Sequence, residues 1–251
     1  MTASPAPRPA EGPRPAPGAA RLGVGGVTPL TTIDFPGRLA AVVYCQGCPW
    51  RCPYCHNGHL AGAQGGEDIP WAAVARFLQR RRGLLDGVVF SGGEPTAQGA
   101  LEGAMEEARA LGFATALHTG GAYPRRLERL LPRLDWVGLD IKGPEAAYPR
   151  LTGVEGSGAA ARESLALLQA SGVDHEVRTT VHPDLLTQAD LEALADELRE
   201  RGVERWVLQP VSGGPQLDPN LPAPAARQAL ASLNLEALQD RFPRLQLRHG
   251  A

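Results

Sequence analysis

Six short apolar runs, each followed by a longer segment of helical character, constrain this chain more than any other feature. The runs fall at 39–45, 87–91, 113–119, 136–142, 175–181 and 205–211. Between them, segments at 71–82, 98–111, 124–131, 158–171 and 187–201, with a last one near 224–240, read as amphipathic helices. Strand then helix, repeated, predicts a parallel sheet with helical crossovers. The runs do not alternate strictly between apolar and polar positions, as expected of strands covered on both faces. A complete eight-unit barrel takes about 250 residues, and this 251-residue chain spends many of its own on other segments. Six units therefore predict an α/β fold that is an incomplete, open (β/α)6 barrel, with a doubly wound sheet as the alternative. Upstream, "LGVGGVTPLTTIDFPGRLA" is rich in glycine and β-branched residues and predicts a short hairpin leading into the domain.

The first 20 residues hold six prolines and no apolar core of a signal peptide, and they read as a disordered Pro/Ala-rich tail. Residues 21–251 then form one domain. A formal net charge of −2 implies no strong pull toward nucleic acid or an anionic membrane surface. No apolar run approaches the roughly 18 residues that span a bilayer. These features predict a cytoplasmic protein, in a reducing compartment where clustered cysteines favour metal binding over disulfides.

All four cysteines lie in "YCQGCPWRCPYCHN", at Cys45, Cys48, Cys52 and Cys55. Structural zinc takes two close pairs held well apart, and here there is no such spacer, although His56 or His59 could complete a zinc site. Iron–sulfur clusters are held by closely spaced thiolates. One short loop carrying Cys48, Cys52 and Cys55 can wrap three corners of a cubane and leave one iron open. Cys45 is either a fourth ligand or a buried small hydrophobe at the end of a strand, and its place in an apolar run favours the second. A separate oddity lies among the 25 basic residues: Lys142 is the only lysine, and all the rest are arginine. That points to a position needing a compact ammonium where arginine's planar fork does not serve.

"CPWRCPYC" resembles the CxxxCxxC loop of radical S-adenosylmethionine (radical SAM) enzymes, and "FSGGEP" at 90–95 resembles their GGE motif. The longer stretch "GGVTPLTTIDFPGRLAAVVYCQGCPWRCPYCHN", with "DIK" at 140–142, is similar to activating enzymes of glycyl radical proteins, in particular the anaerobic ribonucleoside-triphosphate reductase activating group. The resemblance implies a TIM-like partial barrel of the radical SAM type and two cofactors, a [4Fe–4S] cluster on Cys48, Cys52 and Cys55 and SAM on the open iron. It implies reductive cleavage of SAM to a 5′-deoxyadenosyl radical, which takes hydrogen from a glycine of a partner enzyme. The implied partners are that glycyl radical enzyme and a flavodoxin- or ferredoxin-type electron donor.

Around the cofactor the resemblance implies that Gly92 and Gly93 admit SAM to a bare backbone edge, that Glu94 accepts from its amino group, and that Lys142, with Asp140 alongside, pairs with its carboxylate. Tyr54 and His56 would contact the adenine end or the sulfonium region. One departure stands out: relatives tend to carry "DTNG" where this chain has "HTGG" at 118–121, so only a neutral His118 accepts a hydrogen bond there. A radical SAM enzyme acting on a small molecule, such as a deazapurine precursor, and a zinc-stapled binding module are the competing functions. We expect Cys48→Ala, Cys52→Ala and Cys55→Ala each to abolish iron binding in anaerobically reconstituted protein, and Cys45→Ala to retain it. Loss of iron in Cys45→Ala would make Cys45 a ligand.

Overall fold

A computed structural model of the chain describes residues 19–62, 68–211, 214, 216–222, 224 and 230–248. Its strands form one eight-stranded sheet in chain order. β1 (Val24–Thr31) runs antiparallel to β2 (Ala40–Cys45), which is the expected hairpin. β3 (Gly87–Gly92), β4 (Ala114–Thr119), β5 (Trp136–Asp140), β6 (His175–Val181), β7 (Trp206–Pro210) and β8 (Leu245–Leu247) each lie parallel to the strand before. The helices are α1 (Trp71–Arg81), α2 (Leu101–Ala110), α3 (Pro124–Leu130), α4 (Tyr148–Thr152), α5 (Ser157–Ser171), α6 (Gln188–Glu200) and α7 (Leu235–Arg241). A doubly wound sheet reverses its strand order partway, and this one never does, so the open barrel is the correct reading. β8 does not pair with β1, which leaves the sheet unclosed.

Each of the six apolar runs becomes a strand of β2–β7. Two elements were not foreseen: α4 and β8, with five and three residues, are too short to show a period. Of the helix expected near 224–240, Leu235–Arg241 and residues 230–231 are helical, and residues 225–229 lie outside the described residues. So do residues 1–18 of the expected tail, while Ala19–Arg21 form a 3-10 turn with Ala19 fully buried. Helix starts follow local chemistry. At α6 the Thr187 side chain accepts from the Asp190 N–H and Asp190 accepts in return, a reciprocal cap that satisfies two free amides.

The strands carry apolar residues on both faces, and this divides the interior into two cores. β2 sends Ala41, Val43 and Cys45 to the large core under the helices, and Ala40 and Val42 into the barrel lumen. The lumen core is small: Phe35, Ala40, Val42, Val89, Ala116 and Trp136. Phe35 comes from the β1–β2 connection, stacks on Trp136 with ring centroids 6.3 Å apart, and lies under the Arg38 guanidinium at 5.1 Å. A Cβ on Gly87 would stand 2.8 Å from the Phe35 ring, so the glycine makes its space. The loop is shaped by Thr31, whose hydroxyl donates to the Asp34 carboxylate and accepts from the Ile33 and Asp34 amides. "TTIDFPG" is thus a plug in the lower end of the lumen. Phe35→Ala empties the plug, and we expect it to lower the unfolding free energy by about 3–5 kcal/mol, read from urea denaturation.

Candidate active site

The cysteine loop leaves the C-terminal end of β2 and is pinned at its base. The Gly47 N–H donates to the Leu60 carbonyl at 2.8 Å and the Cys48 N–H to the Ala61 carbonyl at 3.1 Å. Inside the loop, Arg51 reaches back to the Cys48 carbonyl at 2.7 Å and the Trp50 carbonyl at 3.1 Å. Its own N–H donates to the Thr152 carbonyl at the end of α4 at 2.7 Å. The Cys55 N–H closes a turn on the Cys52 carbonyl at 3.0 Å. Trp50 packs edge-on against Tyr148, centroids 6.1 Å apart, and occupies the space where a Cβ on Gly120 would be, 2.4 Å from its ring. The glycine at 120 therefore admits the loop's tryptophan.

Gly92 and Gly93 make a close approach, and it is made to the protein's own backbone. Gly92 has φ +110°, and a Cβ there would lie 2.5 Å from the Cys45 nitrogen and oxygen; one on Gly93 would lie 2.4 Å from the Gly47 carbonyl. Two hydrogen bonds seal the contact, Gly93 N–H to Cys45 and Glu94 N–H to Gly47, both 2.8 Å. Glu94 is 2% exposed. Its Oε1 accepts from the Thr96 N–H at 3.0 Å, the Thr96 hydroxyl, and the Thr119 hydroxyl at 2.7 Å, whereas Oε2 accepts from the Gly120 N–H at 2.9 Å. The carboxylate thus ties the end of β3 to the end of β4 and keeps acceptor capacity mainly on Oε2.

His118 turns downward. Its Nε2–H donates to the Asp34 carbonyl of the plug at 2.9 Å, and its ring meets Trp136 at 5.6 Å. Burial first, and Arg178 second, push its pKa to about 3, so it is neutral with a bare Nδ1. At β5, the Asp140 carboxylate takes the Arg178 Nε–H at 3.0 Å and stands 3.9 Å from the Lys142 ammonium. Burial alone would raise Asp140, but Arg178 and then Lys142 outweigh it and hold it below the usual carboxylate range. Lys142 lies over the Trp50 ring at 5.6 Å and the Tyr54 ring at 6.0 Å. Burial works against its charge, yet Tyr54, Cys52 and Asp140 around it raise its pKa well above the ordinary value. The Tyr54 hydroxyl is buried without a hydrogen-bond partner. His56 is half-buried beside Gly214, beyond β7. Cys45, the last residue of β2, is fully buried in the outer core.

The donor set suits a cluster. Cys48, Cys52 and Cys55 are free thiols on one loop. Burial pushes Cys48 up to about 12 and raises Cys52 as well, with Lys142 pulling the second back. Buried thiols of this kind become thiolates when a metal supplies the positive charge. Among the described residues no three histidine, cysteine, aspartate or glutamate side chains converge as the ligands of a single ion would.

These features, an open βα barrel with a three-thiol loop and a lysine facing it at the C-terminal mouth, define a class of enzyme. A family model described as the radical SAM superfamily matches residues 42–198, from β2 through most of α6, and the chain belongs to that superfamily. It is accordingly an enzyme whose cofactors are a [4Fe–4S] cluster and SAM, which sets the zinc-stapled module aside. The chain is 31% identical over 186 residues to a pyruvate formate-lyase-activating enzyme of Clostridium pasteurianum, covering 71% of this chain and 77% of that one. It is 27% identical over 197 residues to a Methanocaldococcus jannaschii protein assigned as a glycyl-radical enzyme activating enzyme, covering 70% and 75%. Among solved structures it resembles Streptococcus suis SuiB bound to its precursor peptide SuiA, with TM-score 0.65 and 15% identity over 82% of this chain. It spans only 48% of SuiB, so that likeness concerns the fold.

The structure brings Cys48, Cys52, Tyr54, Asp140 and Lys142 together, with Glu94 beside them, and carries His118 away toward the plug. Sequence reading missed Arg178, Trp50 and Thr119. A charge inside the buried run "HEVRTTV" was the available signal for Arg178; the Trp50–Gly120 contact joins distant segments and left none. Glu94→Gln puts a donor where a doubly engaged carboxylate accepts from four. We expect it to lower stability by about 1–3 kcal/mol and the thermal midpoint with it, whether or not a cluster is loaded.

Proposed function

We propose that this chain is the activating enzyme of a glycyl radical enzyme, that the partner is an anaerobic ribonucleoside-triphosphate reductase, and that a flavodoxin- or ferredoxin-type protein of the cytoplasm supplies the electron. The observation that carries the reading is the placement of the cysteine loop opposite Lys142, at the mouth of a sheet left open between β1 and β8. The two relatives named as activating enzymes, each matched over about three quarters of its length, support the class of partner. "TTIDFPG", "CHN" and "DIK" support the reductase in particular. Among the described residues no helix is long and apolar enough to cross a membrane.

When bound, the cluster and SAM together supply a reductive cleavage that yields a 5′-deoxyadenosyl radical able to take hydrogen from a glycine Cα. The chain's own groups bind and orient. Cys48, Cys52 and Cys55 hold the cluster, and Lys142 pairs with the SAM carboxylate. With His118 neutral and turned away, Glu94 Oε2 is the acceptor left for the SAM ammonium. Trp50 and Tyr54, each 5% exposed, keep water from the loop.

Anaerobically reconstituted, reduced protein given SAM and the purified reductase should form 5′-deoxyadenosine and a glycyl radical seen by electron paramagnetic resonance. Deoxyadenosine without the glycyl radical would remove the reductase as partner; neither product would overturn the activase reading. Lys142→Arg should weaken SAM binding about tenfold, roughly the worth of one well-placed charged contact, while iron content stays at the wild-type level.

A further inference from the structure

We infer that the chain Arg178–Asp140–Lys142 holds a net positive charge against the cysteine loop and sets how readily a cluster in that loop accepts its electron. The inference rests on the cluster assignment and adds to Lys142 a task independent of SAM. Three charges stand in line at the top of β5 and β6. Arg178 grips Asp140 at 3.0 Å, whereas Lys142 is 3.9 Å from the same carboxylate. Arg178 fits inside the lumen because Gly138 opposite has no side chain: a Cβ there would lie 2.6 Å from the guanidinium carbon. Arg178 is thus the closer counter-ion of Asp140, and the charge of Lys142 is left to act on the loop.

The loop side of the geometry agrees. Trp50 and Tyr54 flank Cys52 in sequence, and the Lys142 ammonium lies over both rings, at 5.6 and 6.0 Å. The Lys142 side chain is only 15% exposed, so its field is little screened by water. The opposing charge is Glu94 on the Cys48 side, and its oxygens are shared among four donors. A reduced cluster carries one more negative charge than an oxidised one, so a nearby cation favours the reduced form; net charge around a cluster is a main determinant of its potential.

The test is the midpoint potential of the reconstituted full chain, titrated without SAM and followed by electron paramagnetic resonance. At the wild-type midpoint, Lys142→Met should lower the ratio of reduced to oxidised cluster by about tenfold. Asp140→Asn, which uncovers more positive charge, should raise that ratio. Lys142→Arg should restore most of the wild-type ratio although it binds SAM poorly, because it keeps the charge and loses the shape. Unmoved midpoints in Lys142→Met and Asp140→Asn would overturn the inference. If Lys142→Met does not hold a cluster, Asp140→Asn decides alone. Wild-type protein that takes up no cluster would instead overturn the assignment on which the inference rests.

Discussion

The arrangement of the mouth depends on one contact, the edge-to-edge meeting of Gly92–Gly93 with the backbone of Cys45–Gly47. Both glycines approach to distances at which a Cβ is impossible, and two short amide hydrogen bonds hold them there. Because Cys45 and Gly47 are the root of the cysteine loop, that contact fixes where the loop starts. Glu94, the next residue, then draws in β4 through Thr119 and Gly120, and Gly120 in turn leaves the space that Trp50 fills. Loop, third strand and fourth strand are thereby located against one another by backbone geometry and one buried carboxylate.

Charge is arranged on the same economy. The lumen divides into an apolar side, where Phe35, Val42, Val89, Ala116 and Trp136 pack, and a polar side on β5 and β6, where Asp140 and Arg178 pair. Farther along that side, Glu176 is buried and accepts from Arg248 at 2.8 Å. Buried charges are tolerated when paired and hydrogen-bonded, and each of these has its partner. His118 stands at the border and is neutral, so it adds no charge to either side.

Much of the fold was legible because strands buried on both faces leave long apolar runs, and helices between them leave a different period. The runs at 87–91 and 175–181 became β3 and β6 nearly residue for residue. β8 was not legible because three residues carry no period, and which face of a strand points into the lumen is invisible when both faces are apolar. That ambiguity hid Arg178. At the site, the spacing of Cys48, Cys52 and Cys55 was legible, since local loops are written in local sequence. Gly92 and Gly93 were read as a close approach, but the sequence could not say that Cys45 and Gly47 were what they approached. Likewise "TTIDFPG" marked a likeness without disclosing that Phe35 enters the barrel.

The Phe35 plug makes the lumen a blind well rather than a tunnel. Packed rings close it below, the sheet walls it, and traffic is left with the mouth. Molecules in a blind well stack in order of arrival. Whatever lies deepest must have entered first, and it departs only after the later arrival withdraws. A small cofactor beneath a visiting polypeptide would then be trapped for the length of the visit, and turnover would be paced by the undocking of the larger body.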